Sequence, residues 1–341
     1  MTTSTSAHTV AAPAPLDQIF AIIRGFWASR ALAVAAELGI ADLLADGPLS
    51  AEVLAERTKT HPPSLFRVMR ALESIGVFAQ VSPRVFANTP SSGLLRRNVP
   101  DSQWAFVRMV LSADLGQYDA FGALMSSVQT GKPSFEQVHG MGGWEYYRRD
   151  PEKGSIFNQA MRSASASISP AVAAAFDWEK FPVIADIAGG IGSQLVATLD
   201  AHPSVRGILF DQPQVVANAI PHPRMERVGG DFFKSVPAGA DAYTMRWIIH
   251  DWPDSESIAI MTNIRNAMKP NSRLILIEEI IPDGPELTWV KWLDLQMLVG
   301  PGGQERTISE YRDLFARSGF ELDQIVPTPA GSSLIIARPR A

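Results

Sequence analysis

A histidine ends an apolar run in the segment YTMRWIIHDWPD, residues 243–254. The run before His250 has the composition of a buried strand, and the Pro253-Asp254 pair after it is typical of the start of a helix. Imidazole accepts a proton near neutral pH, so a histidine at such a strand end is a candidate general base. Taken alone, His250 and its neighbour Asp251 also fit an ordinary loop in which the imidazole bonds to the backbone.

A second candidate is the glycine loop DIAGGIG, residues 186–192. Its glycines allow the backbone to approach a ligand closely. A dinucleotide fingerprint would need Gly or Ala where Leu195 stands, and the Gly-Lys-Ser/Thr of a P-loop is absent from this loop. We therefore do not expect a pyrophosphate here. Asp186 would repel phosphates and favour an ammonium group or, through water, the amino-acid end of a ligand.

Two further acids end the strands that follow. Asp211 comes after the apolar run GILF and can accept hydrogen bonds from both hydroxyls of a ribose. Asp231 and Phe232 end the next strand, where the acid can pair with an adenine amino group while the ring packs on the base. Acids at three successive strand ends suit a cationic ligand that carries adenosine, and S-adenosylmethionine is such a ligand.

A parallel sheet would bring these residues together. From residue 181 onward strand patterns alternate with helical ones; the strand patterns lie in FPVIADIAGG, VRGILFD, ERVGGDFF, DAYTMRWII, SRLILIEEII and SSLIIARP. This alternation predicts an α/β fold with helices on both faces of the sheet. Ligands bind outside the carboxyl ends of such strands, so Gly189, Asp211 and His250 are expected in one site.

The first half of the chain has helical patterns, notably over Leu16–Leu38 and within 101–175. Between them, a turn at residues 61–63, a helix over Ser64–Ile75 and a two-stranded wing over 77–88 predict a winged helix. A DNA reader needs a concentrated basic face, whereas four basic side chains stand against three acidic ones around the candidate recognition helix. A packing or dimerisation module is favoured over DNA binding.

Composition limits the remaining classes. Hydrophobic residues make up 46% and charged residues 19% of 341 residues, as in ordinary globular proteins. The net charge of −5 argues against general binding of nucleic acid or anionic membranes, and the absence of cysteine excludes disulfides and thiolate zinc sites. Residues 1–15 are expected to form a disordered leader. Charges interrupt the apolar stretch 16–45, so no membrane span is predicted, and a cytoplasmic location is expected.

The chain resembles the class I S-adenosylmethionine-dependent O-methyltransferases, in particular plant caffeate and flavonoid O-methyltransferases and bacterial enzymes that methylate aromatic polyketides. The matching motifs occur in the family's order: FNQAM, DIAGGIG, GILFDQPQVV, GGDFF, MRWIIHDWPD, LILIEEIIP and GPGGQERT. The resemblance implies a winged-helix-like dimerisation domain (16–100), a helical linker with acceptor-site helices (101–175), and a Rossmann-like catalytic domain with a mostly parallel seven-stranded sheet (176–341).

The resemblance also implies roles for single residues. His250 is the expected general base, flanked by Glu278 and Glu305. Together with the loop residues chosen above, the expected cofactor contacts are Ser165, Asp186, Gly189, Gly190, Asp211, Asp231, Phe232 and Arg246. The expected acceptor contacts are Met161, Asp251 and Met297. Two positions depart from the family pattern, since Ala188 replaces a frequent glycine and Arg246 stands where many members have lysine.

The predicted function is therefore methyl transfer from S-adenosylmethionine to a phenolic hydroxyl of a small aromatic molecule, by a homodimer without a metal. A phenol with a pKa of ~10 needs a base such as imidazole, and Glu278 is expected to hold the other ring nitrogen. One alternative is a relative that binds the cofactor but catalyses hydroxylation or a pericyclic reaction. Another is a winged-helix regulator that senses the cofactor.

Overall fold

The structure, a computed structural model, describes residues 14–166 and 168–340. The predicted disordered leader, residues 1–15, lies outside the described residues except for Ala14 and Pro15. The chain divides between Leu115 and Gly116 into two compact units. The predicted boundaries at residues 100 and 175 stay predictions.

The amino-terminal unit is mainly helical. Its helices are α1 (Pro15–Glu37), α2 (Ile40–Leu43), α3 (Ala51–Thr58), α4 (Pro62–Glu73), α5 (Pro90–Gly93) and α6 (Trp104–Leu111), followed by a 3-10 turn at Ala113–Leu115. Its strands are β1 (Leu49–Ser50), β2 (Phe78–Ser82) and β3 (Val85–Asn88), in the antiparallel order β1-β3-β2. The predicted two-stranded wing thus gains a third strand, because Leu49 pairs with Phe86.

The start of α4 differs from the sequence prediction. The helix begins at Pro62 and not at Ser64, and its first two positions are prolines. Proline suits the first turn of a helix because the N–H that it lacks has no partner there. Behind α4, the buried side chains of Leu54, Met69 and Phe86 belong to one apolar core.

Helix α1 exposes a large apolar surface in the single chain. Its exposed side chains include Leu16, Ile19, Phe20, Ile22, Ile23, Phe26 and Trp27. Among the described residues it is the one helix long and apolar enough to cross a membrane, a test that core helices and signal sequences also pass. Exposed apolar patches of this size mark interaction surfaces.

The carboxyl-terminal unit contains the sheet. Its helices are α7 (Gln117–Gly122), α8 (Leu124–Thr130), α9 (Ser134–His139), α10 (Gly143–Arg149), α11 (Pro151–Ser165), α12 (Ile168–Ala175), α13 (Ser193–Ala201), α14 (Pro213–Val216), α15 (Asp254–Ala267), α16 (Val290–Val299) and α17 (Ile308–Arg317), with 3-10 turns at Trp178–Lys180 and Ile249–Asp251. Its strands are β4 (Val183–Ile187), β5 (Arg206–Asp211), β6 (Met225–Gly229), β7 (Ala242–Arg246), β8 (Arg273–Glu278), β9 (Phe320–Pro327) and β10 (Ser333–Pro339).

The seven strands form one sheet in the order β6-β5-β4-β7-β8-β10-β9. The first five run parallel, whereas β10 is antiparallel to both β8 and β9, so the predicted mostly parallel seven-stranded sheet is confirmed. The residue patterns missed β9, since this edge strand is half exposed and carries Glu321, Asp323 and Gln324.

The sheet is covered on both faces by apolar clusters. One contains Tyr243, Met245 and Leu276, and the other contains Leu209, Ile275 and Ile277. Alternate residues of one strand thus enter opposite cores, which explains why the parallel strands are apolar almost throughout. The carboxyl ends of β4, β5, β7 and β8 consequently lie along one edge, where their polar residues can meet.

Candidate active site

The candidate base lies on a tight turn directly after β7. The strand ends at Arg246, and a 3-10 turn over Ile249–Asp251 places the His250 side chain at only 8% exposure. Trp247, between the strand and the turn, has a φ of 54°. A non-glycine residue in this region carries strain of order 1–3 kcal/mol, which persists only where surrounding contacts hold the backbone.

Three carboxylates surround the His250 imidazole. Glu305 Oε1 lies 2.7 Å from Nδ1 and Glu278 Oε2 lies 3.7 Å from the same atom. Asp251 Oδ1 lies 3.6 Å from Nε2 on the other side of the ring. Because Nδ1 is bonded to Glu305, Nε2 is the nitrogen left to take a proton from a substrate.

Glu305 therefore orients the ring in place of Glu278, which the sequence analysis had chosen for that role. Glu278 holds the turn instead, since its Oε1 accepts hydrogen bonds from the backbone N–H groups of Ile248 (3.1 Å) and Ile249 (3.0 Å). Glu305 is itself positioned by its own backbone N–H, which donates to Asp294 Oδ1 at 2.9 Å.

The electrostatics of this cluster favour a protonated imidazole. Burial disfavours the imidazolium, but Glu278, Asp251 and Glu305 outweigh it and raise the pKa of His250 to about 10. Burial raises the pKa of Glu278 to about 7 and that of Asp251 to about 6, although the nearby His250 opposes both changes. His250 consequently loses its proton, and becomes able to act as a base, at a higher pH than the ordinary histidine range assumed from the sequence.

The glycine loop after β4 adopts left-handed backbone conformations. Ala188 has a φ of 58° and Gly190 a φ of 62°. A Cβ on Gly189 would lie 2.4 Å from Asp186 Oδ2 and 2.6 Å from Leu209 Cδ1, so any larger residue would be excluded. A Cβ on Gly190 would meet nothing within 4 Å, which means that open space lies above this residue.

The acids at the strand ends have different surroundings. Asp186 is 1% exposed, accepts a hydrogen bond from Thr244 Oγ1 at 2.8 Å, and has its pKa raised to about 6 by burial. Asp211 Oδ2 accepts from the Gly190 N–H at 2.8 Å, which ties the end of β5 to the glycine loop. Asp231 is exposed and accepts from the Phe233 N–H.

Arg246 closes the candidate cofactor site at the end of β7. Its Nη2 donates to Ser165 Oγ at 2.6 Å, whereas Nη1 is buried without a hydrogen-bond partner. Asp186 Oδ2 and Trp247 Nε1 are likewise buried and unpaired. Buried polar atoms normally have partners, so one carboxylate oxygen and two N–H donors without them indicate a place for a polar ligand. These residues fit a ligand that carries both an ammonium group and a carboxylate.

Two of the three predicted acceptor contacts lie on helices, and the third, Asp251, lies on the turn beside His250. Met161 is half-buried on α11 and Met297 is 7% exposed on α16. Helices α7, α8 and α9 contact α16. An aromatic group spans α9, α10 and α11, and the rings of Tyr147 and Phe157 in it stack at 4.6 Å. Its members are Phe135, His139, Tyr146, Tyr147 and Phe157. Phe232 packs edge-on against Trp252 with ring centres 5.9 Å apart.

The ligand atoms of His250, Glu278 and Glu305 lie within 4.8 Å of one another, a spacing that a metal ion could use. Here, however, the 2.7 Å contact between Nδ1 and Glu305 already uses one ligand atom of each partner. The absence of a metal stays a prediction.

Two further residues of the site were not identified from the sequence, although the quoted motif GPGGQERT contains both. A Cβ on Gly303 would lie 2.0 Å from the His250 carbonyl oxygen, so this loop approaches the turn as closely as only glycine allows. Arg306 is fully buried beside the same turn. The double glycine was the signal available; nothing in the sequence indicated that the arginine is buried.

Two family models match the chain. The O-methyltransferase domain matches residues 121–321, and the O-methyltransferase dimerisation domain matches residues 20–98. Among curated relatives, phenazine O-methyltransferase of Lysobacter antibioticus is 42% identical, with 95% of this chain and 97% of the relative aligned. Mitomycin biosynthesis 6-O-methyltransferase of Streptomyces lavendulae is 36% identical over 98% and 97%.

A third relative acts on nitrogen. The 8-amino-8-demethylriboflavin N,N-dimethyltransferase of Streptomyces davaonensis is 35% identical over 86% of each chain. Several similar solved structures contain ligands, and two of them are complexes with S-adenosylmethionine. Human N-acetylserotonin methyltransferase in complex with S-adenosylmethionine has a TM-score of 0.86 at 25% identity over 98% of this chain and 100% of that one. An O-methyltransferase of neocarzinostatin biosynthesis, bound to S-adenosylmethionine and 2-hydroxy-5-methyl naphthoic acid, has a TM-score of 0.80 at 29% identity over 91% and 95%.

Proposed function

The chain belongs to the O-methyltransferase family, and from this premise we propose that it methylates a phenolic hydroxyl of a small aromatic metabolite, with His250 as the general base. Membership confirms the family predicted from the sequence. It also confirms the predicted cofactor, S-adenosylmethionine, with which solved relatives are in complex. The alternative of a regulator or of a non-methylating relative is not favoured.

The observation that carries the proposal is the hydrogen bond between Glu305 and His250 Nδ1. This hydrogen bond fixes the tautomer in which Nδ1 carries the proton, and it directs Nε2 away from Glu305. A base that a third group orients requires such an arrangement. The bound cofactor supplies a methyl group already activated by a sulfonium charge. The chain therefore has two tasks, to align the hydroxyl and to take its proton as the oxygen reacts.

The nature of the base favours oxygen over nitrogen as the methylated atom. A phenolic hydroxyl must lose a proton, whereas a neutral amine or ring nitrogen already presents its lone pair. A buried imidazole oriented by Glu305 is of use in the first reaction and of little use in the second. The nitrogen-specific relatives nevertheless make N-methylation the second candidate.

The cofactor contacts follow from the strand ends. Asp211 would accept from the ribose hydroxyls, and the unpaired donor of Arg246 with Ser165 would face the ligand's carboxylate. Asp186 and the backbone of Gly189 and Gly190 would line the amino-acid end. Asp231 with Phe232 would meet the adenine. Met161, Met297 and Asp251 would contact the acceptor.

The assembly we propose is a cytoplasmic homodimer, built through the unit that matches the dimerisation domain. The apolar surface of α1 supports this assembly, since its exposed side chains would be covered in a dimer. Nucleic acid, membrane and metal have no part in the proposed reaction.

The decisive experiment compares the wild type with His250→Ala on a panel of catechols, naphthols and aromatic amines. Turnover on phenols is expected to fall by ~10²–10⁴ while affinity for S-adenosylmethionine is unchanged, because only proton removal is lost. The loss should shrink for more acidic phenols, whose phenolate is already present. Mass spectrometry of the products reports the methylated atom. Normal turnover of the variant across the phenols would refute the role of His250. If the products carry only N-methyl groups, N-methylation replaces O-methylation as the function of the protein.

A further inference from the structure

Arg306 is among the largest fully buried side chains of the described residues, and its guanidinium faces the turn that carries His250. Nη1 donates to the Ile249 carbonyl at 3.1 Å, and Nη2 donates to the Trp252 carbonyl at 3.0 Å. These carbonyls lie one residue before and two residues after His250. The arginine therefore binds backbone carbonyls that come before and after the candidate base in the chain.

The charge of Arg306 is matched by Asp254 at the start of α15. Asp254 Oδ1 accepts from Nη2 at 2.9 Å and from Nε at 3.3 Å. A buried guanidinium requires such a partner, and its planar fork can reach a carboxylate and two carbonyls at once. The turn is thereby fixed to the helix that follows it.

The loop that carries Arg306 also contacts the turn through its backbone. The Gln304 N–H donates to the His250 carbonyl at 2.9 Å, and Gly303 lies so close that a Cβ would be 2.0 Å from that oxygen. Glu305, the hydrogen-bond partner of the imidazole, lies between these contacts and Arg306 in the chain. The same short loop thus holds both the backbone of His250 and its side chain.

The turn needs this support. Trp247 enters it with a φ of 54°, a conformation that persists only where surrounding contacts impose it. Glu278 binds the N–H groups of Ile248 and Ile249, so the donors of the turn are already held. Arg306 binds two of its carbonyls.

We propose that Arg306 is a positioning residue that fixes the orientation of His250 toward Glu305 and the acceptor hydroxyl. The proposal rests on the proposed function for its effect on turnover. Its effect on the geometry of His250 can be measured independently.

The test compares Arg306→Lys and Arg306→Met with the matched changes at Arg317. Arg317 also donates to Asp254, at 2.8 Å, but its side chain is 47% exposed and it has no described contact with residues 249–252. Both Arg317 variants are expected to retain wild-type turnover. Arg306→Met should lower kcat by ~10–10², the effect of a misplacement of about 1 Å, with KM and cofactor affinity little changed. Arg306→Lys should recover only part of the loss. The ammonium group keeps the charge opposite Asp254, but it cannot reach both carbonyls and Asp254 at once.

Two readouts separate positioning from a general loss of structure. The pH dependence of kcat should shift in the Arg306 variants, since the contact between His250 and Glu305 is disturbed. Nitrogen NMR of labelled histidine, with the His250 signal assigned from His250→Ala, should show a changed titration of that ring alone. If Arg306→Met does not fold, Arg306→Lys decides both readouts.

Wild-type kcat, pH profile and His250 titration in Arg306→Lys would overturn the inference, even where His250→Ala is inactive. If His250→Ala instead retains activity, the proposed base is refuted, while a shifted His250 titration in Arg306→Lys would still support the positioning role. Equal losses in the Arg306 and Arg317 variants would also overturn it, because the effect would then belong to Asp254 or to stability in general.

Discussion

Replacing Glu305 by glutamine should change the pH dependence of the enzyme more than its fold. The substitution keeps the size of the side chain but removes the charge that lies 2.7 Å from His250 Nδ1. A hydrogen bond to a charged group contributes ~1.5–3 kcal/mol. Since one pKa unit corresponds to about 1.36 kcal/mol, the pKa of His250 should fall by ~1–2 units. Solvent screening is weak because the Glu305 side chain is fully buried.

The direction of the change in activity follows from the state of the base. Imidazolium cannot accept a proton, so kcat of the wild type should rise with pH as His250 deprotonates. The three acids raise the pKa of His250, so the increase in kcat should occur at pH values above the ordinary histidine range. In Glu305→Gln the rise should begin ~1–2 pH units lower. Its plateau should be lower than that of the wild type, because a weaker and less firmly held base removes the proton less efficiently.

The assay is kcat as a function of pH with saturating cofactor and acceptor, together with NMR titration of His250. Glu279→Gln is the matched control: the same chemical change is made at a neighbouring acid that has no described hydrogen bond to His250, and a smaller shift is expected. A Glu305→Gln profile superimposable on that of the wild type, in a folded protein, would show that Glu305 does not orient the base.

Asp211→Ala should weaken S-adenosylmethionine binding at least about tenfold in calorimetry, because two ribose hydroxyls and the Gly190 N–H lose a charged acceptor; unchanged affinity would remove Asp211 from the site. Ile19→Glu combined with Ile22→Glu should convert the dimer into a monomer in sedimentation experiments, whereas the equally exposed Val81→Glu should not; a persistent dimer would exclude α1 from the interface. Binding of the wild type to lipid vesicles that the double variant loses, with the dimer unchanged, would instead assign α1 to a membrane surface. Chelation with EDTA should leave turnover unchanged. Activity that is lost on chelation and restored only by an added divalent ion would establish a metal at His250, Glu278 and Glu305.

Much of the catalytic unit could be predicted from the sequence because its determinants are local. The parallel strands are continuous apolar runs, and the residues at their carboxyl ends, such as Asp211 and His250, must lie at one edge of the sheet. The glycine loop was visible for the same reason, since a strand that runs directly into clustered glycines indicates a turn whose backbone can take left-handed conformations and approach a ligand closely. Strand β9 was missed because a half-exposed edge strand lacks this apolar pattern.

Which carboxylate serves His250 was decided only by the tertiary structure. From the sequence, Glu278 was expected to orient His250, and the structure gives this role to Glu305. The two glutamates lie 28 and 55 residues from His250, and no local pattern reports which one reaches Nδ1. Which glutamate reaches Nδ1 depends on how the loop after α16 packs on the turn after β7. This packing depends on the close approach that Gly303 allows and on the buried guanidinium of Arg306. Hydrogen-bond geometry within a few tenths of an ångström arises from packing between distant segments. Residue types and spacing along the chain therefore determine which groups enter the site, and the packing decides what each of them does.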